Sequence, residues 1–239
     1  MSKPDGLKPF FSYFGSKFRL ARHYPPPKRH VIIEPFAGSA GYSLLHHSGR
    51  QVRLYDTYEP VVQLWEYLID VKESEIRGLP LEGFDRVKKG EGKLESMSIT
   101  EEAKLLIGFW LTQSQTYAST YGLSKQRTKG WSAEKRETIA SQLQYIRNWS
   151  ASSLSYESLH TGEGATWFVD PPYVQGGERY KENKIDHASL GRWCRNLKGQ
   201  VIACEQESKK SNWLEFTPLR NYKNASNEKY TEVYWHKAE

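Results

Sequence analysis

Between residues 31 and 70 the hydrophobic period of the sequence changes repeatedly, and this pattern restricts the fold more than any other stretch. Val31-Ile32-Ile33 is a β-branched apolar run closed by Glu34-Pro35, as a buried strand is. Small residues follow, and Gly41 to His47 predicts a helix. Val52-Arg53-Leu54-Tyr55 predicts a second strand ending at Asp56, after which Val61, Val62, Trp65, Leu68 and Ile69 recur at helical spacing. Strand, turn, helix, strand, helix is the opening of a doubly wound α/β sheet.

The pattern breaks after about residue 72 and resumes near 150. Gly83 to Gly92 is charged and glycine-rich and predicts a loop, whereas 101–113 and 134–149 predict helices around a polar stretch. Phe168-Val169, Ala188 to Leu197, Val201 to Cys204 and Tyr230 to Trp235 then predict strand, helix, strand and strand. The simplest organisation is a catalytic frame made of residues 1–71 and 150–239, with a mostly helical subdomain inserted at 72–149.

Composition narrows the class. Mean hydropathy is −0.73, and no apolar run reaches the roughly 20 residues that span a bilayer. The first residues lack the apolar core of a signal peptide, so a cytoplasmic location is expected. Cys194 and Cys204 show no metal-ligand spacing, and the histidines are scattered, so neither a disulfide nor a metal is expected. Net charge is +6, with 15 Tyr, 9 Phe and 8 Trp. Basic charge interleaved with aromatic rings favours nucleic acid, since phosphates set affinity and rings stack on bases.

Asp170-Pro171-Pro172-Tyr173 follows the apolar run Trp167-Phe168-Val169. Pro171 ends that strand because it has no N–H for the ladder, and each proline holds the residue before it extended. The result is a stiff loop at a strand's carboxyl end, carrying a carboxylate, free carbonyls and a ring. Such a set can hold a planar, amino-bearing ring, although an ordinary turn capped by Asp170 uses the same residues. Two other stretches bear on that choice. Glu34-Pro35-Phe36-Ala37-Gly38-Ser39-Ala40-Gly41 is a small-residue turn between strand and helix, with Asp56 about 20 residues on, where doubly wound folds place a carboxylate on ribose hydroxyls. Tyr13-Phe14-Gly15-Ser16-Lys17 lies upstream.

The order Tyr-Phe-Gly-Ser-Lys, Glu-Pro-Phe-Ala-Gly, strand-end Asp and Asp-Pro-Pro-Tyr resembles the Dam-type DNA adenine-N6 methyltransferases, from about residue 10 to 204. The resemblance implies a Rossmann-like methyltransferase sheet, S-adenosylmethionine as cofactor and double-stranded DNA as substrate. It implies that Lys17 pairs with the methionyl carboxylate, that Tyr13 and Gly15 lie nearby, and that Glu34, Pro35, Phe36, Gly38 and Ser39 form the cofactor loop. Asp56 would accept the ribose hydroxyls. Asp170 and the Pro171 carbonyl would accept both hydrogens of the adenine amine, with Pro172 stiffening the loop and Tyr173 stacking on a flipped-out base. Two positions depart from the family pattern. Ala40 stands at the second glycine of the loop, which suits a residue of negative φ, and Ser150 to Leu159 offers Ser153, Ser155 and Glu157 where an acid contacts the cofactor's adenine.

Thr112 to Ala133 carries Lys125, Arg127 and Lys129 without an acidic residue. Basic side chains there suit phosphates, Gln113, Gln115 and Gln126 suit base edges, and Tyr117, Tyr121 and Trp131 suit the gap left by a flipped base. A solvated polar loop is the plainer alternative. His187 and Glu205 are expected to be a helix start and an exposed cap. A monomer or weak dimer is expected. Competing classes are a methyltransferase acting on cytosine N4 or on adenine in RNA, a catalytically silent nucleic-acid-binding relative, and a nicotinamide-dependent enzyme. The last is disfavoured because the loop lacks Gly-x-Gly-x-x-Gly.

Overall fold

Five parallel strands are laid down in an order that reverses once, and the reversal creates the crevice on which the rest of the molecule is arranged. The computed structural model describes residues 6–83, 86–88, 91–92, 94–112, 115–119, 130–223 and 229–238. Strand β1 (Val31–Glu34) is followed by α1 (Gly41–His46), β2 (Gln51–Asp56), α2 (Glu59–Asp70) and α3 (Glu73–Gly78). Strands β3 (Arg86–Lys88) and β4 (Glu91–Gly92) form a separate antiparallel pair where a plain loop was expected. Then come α4 (Glu101–Thr112), α5 (Ala133–Gln142), β5 (Ser150–Ser153), β6 (Ala165–Val169), α6 (His187–Asn196), β7 (Gly199–Gln206), β8 (Thr217–Lys223) and β9 (Lys229–Lys237).

The main sheet has seven strands in the order β5-β2-β1-β6-β7-β9-β8. From β5 to β7 neighbouring strands run parallel, and β9 pairs antiparallel with both β7 and β8. The chain builds outward from β1 through β2 to β5, then crosses back to place β6 on the other side of β1. Ligands of open α/β sheets bind at such a switch point, outside the carboxyl ends of the strands. Because β9 runs the other way, the beginning of β9 lies at that same edge, with Glu232 opposite Gln206.

Burial explains why the elements form. β6 is buried along its whole length, as a central parallel strand must be. α2 starts with Pro60 in its first turn, where a missing N–H costs nothing, and buries Val61, Val62, Leu64, Trp65 and Leu68. The helices of residues 72–149 share the main hydrophobic cluster: Phe109 of α4 packs on Phe11 at 5.3 Å between ring centroids, and the Trp110 indole N–H donates to the Phe10 carbonyl at 3.0 Å.

Two further elements differ from expectation. The helix expected over 134–149 ends at Gln142, and a 3₁₀ turn at Leu143–Tyr145 redirects the chain so that Ser150 pairs with Arg53 of β2. β5 reads Ser-Ala-Ser-Ser, without apolar alternation, because it is an edge strand held by the ladder of β2. Among the described residues no helix is long and apolar enough to cross a membrane.

Candidate active site

The carboxyl ends of β1, β2 and β6 each deliver one carboxylate, Glu34, Asp56 and Asp170, to one cleft. Tyr13, Gly15, Lys17, Phe36, Gly38, Ser39 and Pro172 also line it, whereas the buried Pro35 and Pro171 and the half-buried Tyr173 lie outside its wall. Sequence reasoning therefore named most of a wall that the fold does assemble.

The loop after β1 is shaped by close approach. Gly38 adopts φ +44°, and a Cβ on it would stand 3.2 Å from the Tyr13 ring. A Cβ on Gly41 would lie 2.5 Å from the Phe18 nitrogen and 2.8 Å from the Lys17 carbonyl carbon, so glycine is needed there for the Lys17 segment to cross the start of α1. Ala40 does not have the negative φ that suits alanine. It sits in the left-handed region at φ 50° and ψ 42°, a conformation costing about 1–2 kcal/mol for a residue with a Cβ. The turn imposes it, since the Ala40 N–H donates to the Ala37 carbonyl at 2.7 Å and the Ala40 carbonyl accepts from the Leu44 N–H at 2.9 Å. The loop is tied to the core by Trp65, whose indole N–H donates to the Gly38 carbonyl at 2.8 Å.

Asp56 closes the other side. Its two carboxylate oxygens accept the N–H groups of Gly38 and Tyr58, both at 2.9 Å. Burial raises its pKa and these backbone donors oppose the rise. A carboxylate has about four lone-pair sites, so Asp56 retains acceptor capacity toward the cleft.

At the centre stands Lys17, which is 7 % exposed. Its ammonium pairs with Asp170 at 2.8 Å, donates to the Gly15 carbonyl at 3.2 Å and lies 4.8 Å from the centroid of the Tyr173 ring, with Glu232 at 3.9 Å. Burial works against the ammonium, yet Asp170 and Glu232 hold its pKa above the ordinary lysine value. Burial also raises Asp170, and the Lys17 ammonium is the main influence opposing that rise. Glu34 is pushed up to about 8 by burial, against the N–H of Ser43, which it accepts at 2.8 Å.

Glu232 escaped the sequence reading. It is 1 % exposed and accepts hydrogen bonds from the hydroxyls of Tyr173 at 2.5 Å and Tyr24 at 2.6 Å. It thereby fixes the outer edge of the ring in the Asp170 loop. The one available signal was an acid inside the aromatic run Tyr230-Thr231-Glu232-Val233-Tyr234-Trp235.

Two expectations for the loop's supports change. Glu205 is fully buried and is no exposed cap; it accepts the Val174 N–H at 3.3 Å and the Trp213 indole N–H at 2.9 Å. His187 does begin α6, with Asp186 as its N-cap, but its Nε2 also lies 3.0 Å from the Pro172 carbonyl oxygen. The loop is thus held from β7, β9 and α6 together.

In the polar stretch after α4, Lys125, Arg127, Lys129, Tyr121 and Gln126, together with Gln113, lie outside the described residues. Gln115 sits at the rim, its carbonyl accepting the Phe14 N–H at 3.2 Å, and Tyr117 is 41 % exposed. Trp131 is buried, and its indole N–H donates to the Pro80 carbonyl at 2.8 Å, so it packs in the core and does not face a flipped base. Cys194 and Cys204 are buried free thiols, as expected. Among the described residues no group of three or more His, Cys, Asp or Glu could hold a metal ion.

A parallel sheet closed by an antiparallel hairpin, with a small-residue loop, Asp170 and Pro172 on the wall of one cleft at its switch point, is the arrangement of a Rossmann-like methyltransferase. The sequence profile of the D12 class N6 adenine-specific DNA methyltransferases matches residues 13–212, and the chain belongs to that family. It is an adenine-specific DNA methyltransferase, and methyltransferases of this family generally use S-adenosylmethionine. Among solved structures, the chain is similar to "Putative methyltransferase yhhF" from Escherichia coli, at 12% identity and a TM-score of 0.37, over 100% of this chain and 92% of that one. At that distance the likeness adds nothing to the assignment. The search of curated proteins found no match.

Proposed function

We propose that the cleft between β1, β2 and β6 binds S-adenosylmethionine, and that the Asp170 loop receives an adenine flipped out of duplex DNA. The observation carrying this reading is that Asp56, Lys17 and Asp170, far apart in sequence, line one cleft. Its donor set fits the cofactor. Glu34, Asp56, Asp170 and Glu182 face Lys17 and Lys181, a mixed and largely acidic lining suited to a molecule carrying a sulfonium, an ammonium and a carboxylate.

Bound there, S-adenosylmethionine supplies an electrophilic methyl group. The chain's own residues supply position and charge. Asp56 accepts the ribose hydroxyls, and Lys17 faces the methionyl carboxylate while it holds Asp170 ionised. The exocyclic amine of adenine is a poor nucleophile because its lone pair is delocalised into the ring. Asp170 and the Pro171 carbonyl, accepting its two hydrogens, favour a pyramidal nitrogen and stabilise the positive charge that develops on it. Tyr173, its hydroxyl anchored by Glu232, holds the ring in line with the methyl group. Because the duplex buries that amine, the base must leave the stack.

Titration calorimetry tests the cofactor assignment. The wild-type chain is expected to bind S-adenosylmethionine, and Asp56→Ala to bind it tenfold or more weakly, about 1.4 kcal/mol or more. Equal affinity in the two proteins would remove Asp56 from the site.

A further inference from the structure

A second cleft has Val174, next to the Asp170 loop, in its wall, and its lining is electrostatically opposite to the first. Arg192 and Arg195 of α6, Lys210 of the β7–β8 connection, His187, Asn212 and Trp213 line it too. Three cations and no carboxylate line this cleft, whereas four carboxylates and two lysines line the first. A sulfonium cofactor fits the acidic cleft and is repelled by the basic one; a polyanion has the reverse preference. The substrate of this family is DNA, whose backbone carries one charge per phosphate.

We infer that the basic cleft seats the phosphodiester backbone of the DNA strand that presents the target adenine. The inference rests on the Asp170 loop being the methyl-transfer site. The two clefts share that loop: Pro172 lines the first, while its carbonyl meets His187 of the second, and Val174 of the second donates to Glu205. A phosphate held here therefore lies against the side chains that support the loop, so backbone binding and base placement use one scaffold. Phosphate contacts of this kind set register and orientation and leave base readout to other residues.

Arg195 is paired with Glu215 at 2.7 Å, which makes Arg192 and Lys210, both exposed, the informative pair. The double variant Arg192→Glu, Lys210→Glu is expected to keep the wild-type melting temperature and the wild-type affinity for S-adenosylmethionine. Its binding to duplex DNA should weaken, with the slope of log K against log salt reduced by roughly 2, since each phosphate contact contributes about 0.9. KM for DNA should rise at unchanged kcat. The neutral pair Arg192→Gln, Lys210→Gln should move the slope in the same direction by a similar amount. A wild-type salt slope in both variants would overturn the inference while leaving the methyl-transfer site standing. Loss of kcat with a wild-type slope would also overturn it, because these residues would then act on the chemistry and not on the backbone.

Discussion

Asp170→Ala is expected to lower kcat for methyl transfer to DNA by about 10²–10³-fold, while S-adenosylmethionine and duplex DNA still bind. The magnitude follows from what the side chain does. An acceptor aimed at charge that develops only in the transition state contributes roughly 3–4 kcal/mol in a water-excluded site, and its removal leaves the ground state bound. The carboxylate sits at the carboxyl end of β6, on the wall of the cleft and 2.8 Å from Lys17. With alanine there, the amine loses the one carboxylate acceptor that the Asp170 loop offers it. Asp170→Asn should retain more activity than alanine, because the amide carbonyl still accepts one hydrogen bond. Steady-state kinetics decides the matter: substantial turnover by the alanine variant would show that the amine is activated by some other group.

Lys17→Met is expected to carry the largest cost to stability and to reshape the pH dependence of activity. Removing the ammonium leaves Asp170 and Glu232 buried without their cation, and breaking a buried pair from one side costs about 3 kcal/mol or more. For a chain of this size that is a fall of roughly 6–12 °C in Tm. The pH trend follows from burial, which raises Asp170 and Glu232 above their unfolded values even with Lys17 present. Without Lys17 both carboxyls rise further and hold protons in the folded state that the unfolded chain has lost. Their contribution to stability is then full at acid pH and is lost as pH rises through the folded pKa. The gap in Tm between wild type and variant should accordingly widen as pH rises above the ordinary carboxylate range. Activity needs Asp170 as an acceptor, so the acid limb of the kcat profile should move to higher pH. A variant with wild-type Tm and an unmoved limb would mean that Lys17 neither neutralises Asp170 nor keeps it ionised.

What the sequence revealed and what it concealed divide by the distance of the interactions. β1, β2 and β6 were legible because their apolar runs are local, and the Asp170 loop was legible because proline acts on its own neighbours. Lys17 and Asp56 became legible through the order of short motifs. Glu232 was hidden because its partner Tyr24 lies 208 residues away, and nothing near either residue announces the pair. Glu205 looked like an exposed cap until Trp213 and Val174 closed over it. Trp131 read as a ring free for DNA because its burial depends on the Pro80 carbonyl, contributed by a different element. Ser150–Ser153 carries no strand signal of its own and is a strand because β2 offers it an edge. Ala40 is left-handed because of the turn it closes, although its residue type argues otherwise.

The central claim is that this site places a methyl group on the N6 amine of adenine in DNA. Incubating the protein with genomic DNA and methyl-labelled S-adenosylmethionine, then digesting the DNA to nucleosides, measures that directly. The account predicts label in N6-methyladenine alone, confined to one sequence context when the DNA is sequenced. Label in N4-methylcytosine, or unlabelled DNA from a protein that binds both the cofactor and the duplex, would contradict it.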